Sequence, residues 1–266
     1  MIARDRLRGL LTGVVAGVAG GLFGVGGGLV LIPLLTSFFG FTQHQAHGTS
    51  LAVMGATALA ATAVYGAFAH VAWLTAAAVA LASVWTARYG ARFATRTSPV
   101  GLRRAFAVFI AAVALRLLWL PPAVADAPLF HGATRLGFDL LLGCAVGLVS
   151  GYMGVGGGIL AVPAFTLGLG MTQQAAQGTS LAIIIVTGPA GAFEHSRHGN
   201  VVWALVPMLA LGGFAGAPLA SWLAQLVPHE SLVRAFALFL LANAVATWVQ
   251  GGRKDPSPGP LPVKGG

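Results

Sequence analysis

Between Arg8 and Arg88 the chain contains no Asp, Glu, Lys or Arg, and the same is true between Asp139 and Glu194. The hydrocarbon core of a bilayer is about 30 Å thick and takes ~20 apolar residues per crossing helix. Each charge-free stretch is therefore long enough for several spans joined by short uncharged turns. Composition points the same way. Only 8% of residues are charged and 57% are hydrophobic, against roughly 25% and 45–50% in a soluble domain. A 26.9 kDa globule with so few charges could not solvate its own surface.

The net charge of +9 falls in clusters at a few segment ends, which is how topology signals are arranged. Lys and Arg are not interleaved with aromatics as on a nucleic-acid face, so nucleic acid is not expected as a partner. Cys144 is the only cysteine. It excludes an intrachain disulfide and reads as a small packing residue. The first 25 residues have the look of a signal peptide, but the same Gly-rich apolar pattern recurs at 143–158, where none could lie.

Adding 130 to a residue number carries the first half onto the second without gaps. Gly13 and Gly17 fall on Gly143 and Gly147, and Gly24-Val25-Gly26-Gly27-Gly28 falls on Gly154-Val155-Gly156-Gly157-Gly158. Pro33 falls on Pro163, and Thr42-Gln43 on Thr172-Gln173. Gly48-Thr49-Ser50-Leu51-Ala52 falls on Gly178-Thr179-Ser180-Leu181-Ala182, and Arg104-Ala105-Phe106-Ala107 on Arg234-Ala235-Phe236-Ala237. Internal repeats of this kind are common in secondary transporters.

The expected fold is an all-α integral membrane protein of two homologous four-segment repeats, residues 1–125 and 126–252, followed by a Pro/Gly-rich disordered cytoplasmic tail at 253–266. The first segment of each repeat, Leu10–Phe39 and Leu140–Leu169, is about 30 residues long and would reach ~45 Å as one helix. The glycine cluster in its middle should break it. If all eight segments crossed, Arg88, Arg92, Arg96, Arg103 and Arg104 would fall outside, against the positive-inside tendency. If each first segment turns back, those arginines, the N-terminal arginines, Arg253 and Lys254 all fall on the cytoplasmic side. The charges thus favour re-entrant first segments, three crossings per repeat and an inverted pair of repeats in an inner membrane. Both termini are then cytoplasmic.

The GVGGG runs are not nucleotide loops. Leu29 and Ile159 stand where a dinucleotide fingerprint needs glycine, and no Gly-Lys-Ser/Thr follows. A break at membrane depth exposes backbone N–H groups, and the next half-helix points its positive end at the gap. That makes an anion site without side-chain charge, or else a tight packing contact through small residues. Candidate substrate-binding residues are Gly24, Gly26, Gly27 and Gly28 with Gly154, Gly156, Gly157 and Gly158. Pro33 and Pro163 are expected to end or kink the half-helix that follows.

The A-x-G-T-S-L-A runs should open the next helix. Thr49, Ser50, Thr179 and Ser180 are uncharged donors there, serving either the ligand or the helix N-terminus. His47 and Glu194 are candidates for proton coupling. The string Glu194-His195-Ser196-Arg197-His198 otherwise reads as a solvated loop beside a Gly-Asn turn. Asp139 is expected at an interface. No metal site or cofactor is expected.

The duplicated G-x-G-G-G…P and A-x-G-T-S-L motifs resemble the TauE/SafE family of sulfite exporter-like permeases over about Leu10–Val249. The resemblance implies a polytopic inner-membrane transporter working without ATP hydrolysis. It implies a small anionic substrate, such as sulfite, sulfoacetate or a related sulfur anion. The expected function is a secondary transporter for such an anion, with an uncoupled anion channel as the alternative. An intramembrane enzyme is disfavoured, because the motifs are glycine and hydroxyl rather than clustered acids, bases or nucleophiles. The expected partners are the substrate and the lipid bilayer, with a homo-oligomer left open.

Overall fold

The computed structural model describes residues 3–94, 99–120, 122, 124, 130, 132–153 and 156–250. The tail at 253–266 and Gly154 lie outside them. Among the described residues ten helices run in chain order: α1 (Ala3–Phe23), α2 (Gly28–Phe39), α3 (Gln43–Ala67), α4 (Trp73–Ala94) and α5 (Pro99–Trp119), then α6 (Gly132–Met153), α7 (Gly158–Leu169), α8 (Gln173–Arg197), α9 (Val206–Leu226) and α10 (His229–Gln250). There is no strand among the described residues. Six helices, α1, α3, α6, α8, α9 and α10, are long and apolar enough to cross a membrane. Large apolar side chains such as Leu74, Trp85, Leu141 and Trp119 face outward, as they do on a lipid-facing surface.

The first segment of each half is broken at its glycines. Gly24, Gly26 and Gly27 have φ of 71°, 67° and 84°, and Gly156 and Gly157 have 73° and 75°. These are left-handed values that cost a residue with a Cβ roughly 1–2 kcal/mol. After the break the chain doubles back. A Cβ on Gly27 would lie 2.4 Å from the Ala16 carbonyl oxygen, about two turns before the end of α1, and one on Gly20 would lie 2.4 Å from the Gly27 nitrogen. The second break repeats this, with Gly157 against Val146 and Ser150. A continuous or merely kinked helix could not bring residue 27 beside residue 16.

α2 then runs antiparallel to the first half of α3, with Gly28 against Ser50 and Met54. It has 12 residues, so it covers about 18 Å at 1.5 Å per residue, while the 25 residues of α3 cover about 37 Å. The break therefore lies level with the middle of α3.

The expected end or kink at proline does not occur as a helix end. Pro33 and Pro163 lie inside α2 and α7. Pro33 is the sixth residue of its helix, so it removes the bond an N–H there would give to the Leu29 carbonyl without ending the helix. Both helices stop instead at left-handed Gly40 and Gly170, whose N–H groups donate back to the Leu35 and Phe165 carbonyls. The next helices also begin earlier than the A-x-G-T-S-L-A runs. Thr42 caps α3, accepting from the Gln45 N–H at 3.3 Å while its own N–H donates to Gln45 Oε1 at 3.1 Å. Thr172 caps α8 through the Ala175 N–H. Thr49, Ser50, Thr179 and Ser180 thus sit two turns inside their helices and cap nothing.

Two parallel helix pairs flank the centre. Gly13, Gly17 and Gly21 of α1 meet Leu209, Gly213 and Ala217 of α9, and a Cβ on any of them would stand 2.2–2.5 Å from a carbonyl oxygen. Gly143, Gly147 and Gly151 of α6 meet Val79, Ser83 and Ala87 of α4 in the same way. Small residues four apart let the backbones touch, the usual basis of close helix packing in lipid. Between these pairs α3 and α8 cross antiparallel: Gly48 meets Asn200 and His195, Gly55 meets Pro189, and Gly178 meets Tyr65 and His70.

These contacts define two faces. The starts of α1, α3 and α9 and the end of α8 share the first, through Gly9–Met208 and Val202 N–H to Thr49. The starts of α4, α6, α8 and α10 share the second. There Ala72 N–H donates to Thr179, Arg135 to Thr75 and Gln173 N–H to His229, while His229 meets the Pro122 carbonyl.

One sequence expectation fails here, and one residue is more enclosed than its place suggests. Asp139, one turn beyond Arg135 of the second face, is 3% exposed, with Arg135 Nε 3.4 Å from both carboxylate oxygens. An arginine one turn earlier, itself bonded to Thr75 at 2.7 Å, lets the carboxylate be buried. Glu194-His195-Ser196-Arg197 is not a loop but the last turn of α8. The helix stops at His198–Gly199, where the N–H groups of His198 and Asn200 donate to the His195 carbonyl.

Candidate functional site

The two glycine breaks meet at the centre of the molecule. A Cβ on Gly158 would lie 2.9 Å from both the Gly24 carbonyl oxygen and the Val25 Cα, so the start of α7 touches the first break directly. Both breaks also meet the same two side chains. Gly26 faces Met54 Cε and Ile184, and Gly156 faces Met54 Cε, Met54 Sδ and Ile184. Met54 and Ile184 are 130 residues apart, and both are fully buried. Met54 fills the space between the breaks with the most flexible apolar side chain available.

Around this contact lie the amide donors. The first intrahelical bonds of α2 run from Val30 and Leu31 to the Gly27 carbonyl, and those of α7 from Leu160 and Ala161 to Gly157. The amides of 28–29 and 158–159 therefore precede the helical ladder, and neither Gly27 nor Gly157 brings a side-chain cap. Each half-helix thus presents its positive end at its own break, and the two breaks touch.

The four hydroxyls divide into two kinds. Thr49 accepts from the Val202 N–H at 3.0 Å, and Thr179 accepts from the Ala72 N–H at 3.0 Å while donating to the Ala175 carbonyl at 2.7 Å. They pin the turn before α9 and the turn before α4 to the central helix pair. Ser180 Oγ donates to the Gly24 carbonyl at 2.8 Å and so ties the second half to the first break. Ser50 Oγ, beside Gly28, is fully buried and has no partner among the described residues. A buried hydroxyl left unpaired costs about 1–3 kcal/mol, so such an atom in a native fold points to a ligand or water.

Gln177 occupies the position that His47 holds in the first half. It is fully buried, and its Cα and Cβ would stand 2.6 Å from a Cβ on Gly24. One end of its amide lies 2.9 Å from the Tyr65 hydroxyl, which is 3.0 Å from the Gly21 carbonyl, and the other end has no partner among the described residues. Ser50 and Gln177 are thus two buried, unsatisfied neutral groups at the first break. Of the coupling candidates, His47 is half-buried on α3, and Glu194 lies in the last turn of α8, 3.9 Å from Arg197.

The family model "Sulfite exporter TauE/SafE" matches residues 2–117 and 140–265. The chain belongs to the TauE/SafE family. It is similar to a "Probable membrane transporter protein" of Xylella fastidiosa (strain Temecula1), 30% identical over 241 residues that cover 88% of this chain and 91% of the relative. It is also similar to the "Probable membrane transporter protein YunE" of Bacillus subtilis, 28% identical over 236 residues covering 79% and 86%. No solved structure gives a significant match. A TauE/SafE protein with six such apolar helices is a multi-pass membrane transporter, not an enzyme.

Proposed function

We propose that this TauE/SafE transporter is a secondary carrier for a small anion of the sulfur oxyanion or organosulfonate class. The anion binds between the two glycine breaks. The observation that carries this reading is their meeting: Gly158 against Gly24 and Val25, with two uncapped half-helix N-termini and the unpaired Ser50 and Gln177 around them. Backbone amides and neutral donors suit a tetrahedral or pyramidal oxyanion, which needs several donors at close range. Gly24, Gly26, Gly27, Gly28, Gly156, Gly157 and Gly158, together with Ser50 and Ser180, belong to this site. Gly154 occupies the equivalent sequence position in the second copy. Thr49 and Thr179 act one layer out, by holding the turns.

The two halves are read as inverted repeats. α1–α2 and α6–α7 form re-entrant hairpins, and α3–α5 and α8–α10 cross. Supporting this, α4 stands against α6 as α9 stands against α1, and α3 and α8 run in opposite directions. The first face, with Arg6, Arg8, Arg88, Arg92 and Arg104, is cytoplasmic by the positive-inside tendency. Met54 and Ile184 close the site in this conformation. Rocking one half against the other would open it to each face in turn.

The test is a panel of radiolabelled sulfite, sulfoacetate, thiosulfate and carboxylates in proteoliposomes. Saturable flux with counterflow is expected for a sulfur anion. Flux without saturation or counterflow would make the protein a channel, and selective carboxylate transport would displace the substrate class.

A further inference from the structure

The helices of the two halves correspond closely in order and length, but the halves differ in what stands over each break. Over the first, Tyr65 and Gln177 pair at 2.9 Å and Tyr65 reaches the Gly21 carbonyl. In the 130-residue register Tyr65 becomes His195, Gln177 corresponds to His47, and Gly21 becomes Gly151. His195 keeps the place of its counterpart: it is 7% exposed, with its Cβ against Gly48 of α3. Its Nε2 is fully buried and has no partner among the described residues, which leaves that nitrogen available to a proton.

A tyrosine–glutamine pair cannot change charge near neutral pH, whereas an imidazole in the same position can. We propose that His195 is the proton-binding site of the transport cycle, placed at the first-face end of the second break as the titratable counterpart of the fixed Tyr65–Gln177 pair. Nε2 takes a proton from hydronium reaching it from the first face. One O–H bond of the hydronium breaks, one N–H bond forms, water is left, and the neutral ring becomes a cation beside the start of the anion path.

The charged and titratable groups around it are consistent with a site that responds to its surroundings. α3 carries His44 and His47. α8 carries Glu194, Arg197 and His198, α6 carries Tyr152, and α4 carries Arg88, Tyr89 and Arg92 in its last turns. Those acting on His195 are His44, His198 and Glu194. The titratable groups of α10, His229, Glu230 and Arg234, stand toward the second face, and α7 has none. The role in transport rests on the carrier reading above, but the titration itself does not.

The experiment has two arms. In the first, ring 15N spectra of the full chain in lipid nanodiscs are followed over about pH 5 to 9, with the His195 signals assigned from H195Q. The two ring nitrogens should move together through one transition, and H44Q, which removes a neighbouring positive charge, should move its midpoint upward. A ring fixed as one neutral tautomer over the whole range overturns the proposal. In the second arm, proteoliposomes holding wild type, H195Q or H195Y are given an imposed pH gradient with sulfite or sulfoacetate. Wild-type flux should rise about tenfold with the gradient, and both variants should keep counterflow while losing that response. Retained gradient dependence in both variants overturns the proposal. H195Y restores the residue of the first half, which guards against a loss due to misfolding alone. If wild type moves no sulfur anion, the substrate class fails while the ring titration still decides the proton site.

Discussion

Gly27 and Gly157 each combine a left-handed backbone with contact to the preceding helix, so a side chain there faces both strain and collision. Gly27→Val is expected to lower transport at least tenfold, from about 1–3 kcal/mol of local strain, while the protein still inserts. Flux assays beside a membrane-fraction immunoblot check this. Ser50→Ala removes an unpaired hydroxyl and should leave the melting temperature unchanged or raised while weakening substrate affinity, read as a higher KM. Thr179→Val should instead lower the melting temperature, because its hydroxyl holds the Ala72 N–H and the Ala175 carbonyl. The glycines were readable in the sequence because doubled runs of four are rare and physically costly. Gln177 and His195 were legible only as places where the two copies differ. Their burial was not, because that of His195 depends on α3 packing across the end of α8.

Among the elements, the α1–α9 and α4–α6 pairs have the least room for change. Gly17→Leu would drive a side chain into the Gly213 backbone, whose carbonyl oxygen stands 2.4 Å from a Cβ. Expected are loss of folded protein and a melting temperature too low to measure in detergent, against little change for Gly137→Ala, which meets nothing within 4 Å. Thermal unfolding by size-exclusion recovery separates the two. Segment number, the broken first segments and the link to the next helix were legible from hydropathy, charge gaps and glycine. The helix ends were less so. Proline suggests a stop wherever it falls, yet in α2 and α7 the stop belongs to Gly40 and Gly170. Threonine inside a motif suggests a cap, yet the caps are Thr42 and Thr172, one turn before it.

For the molecule as a whole, the proposed topology makes a direct prediction. With Cys144 replaced by serine, a single cysteine at position 96 should react with a membrane-impermeant maleimide only from the cytoplasmic side, and one at position 126 only from the other. The reverse labelling of position 96 would restore eight full crossings. The folding back of Gly27 against Ala16 agrees with re-entry and not with a through-going helix. Which face meets the cytoplasm depends on charge bias alone, because helix packing is blind to compartment.

The touch between Gly158 and the Gly24–Val25 backbone also has a genetic consequence. Neither copy of the duplicated motif can drift by itself, since each shapes the wall of the other. Revertants selected from a crippled Val25→Phe strain should therefore carry their second change in the opposite half, near residues 156–158 or at Ile184, more often than beside the original lesion.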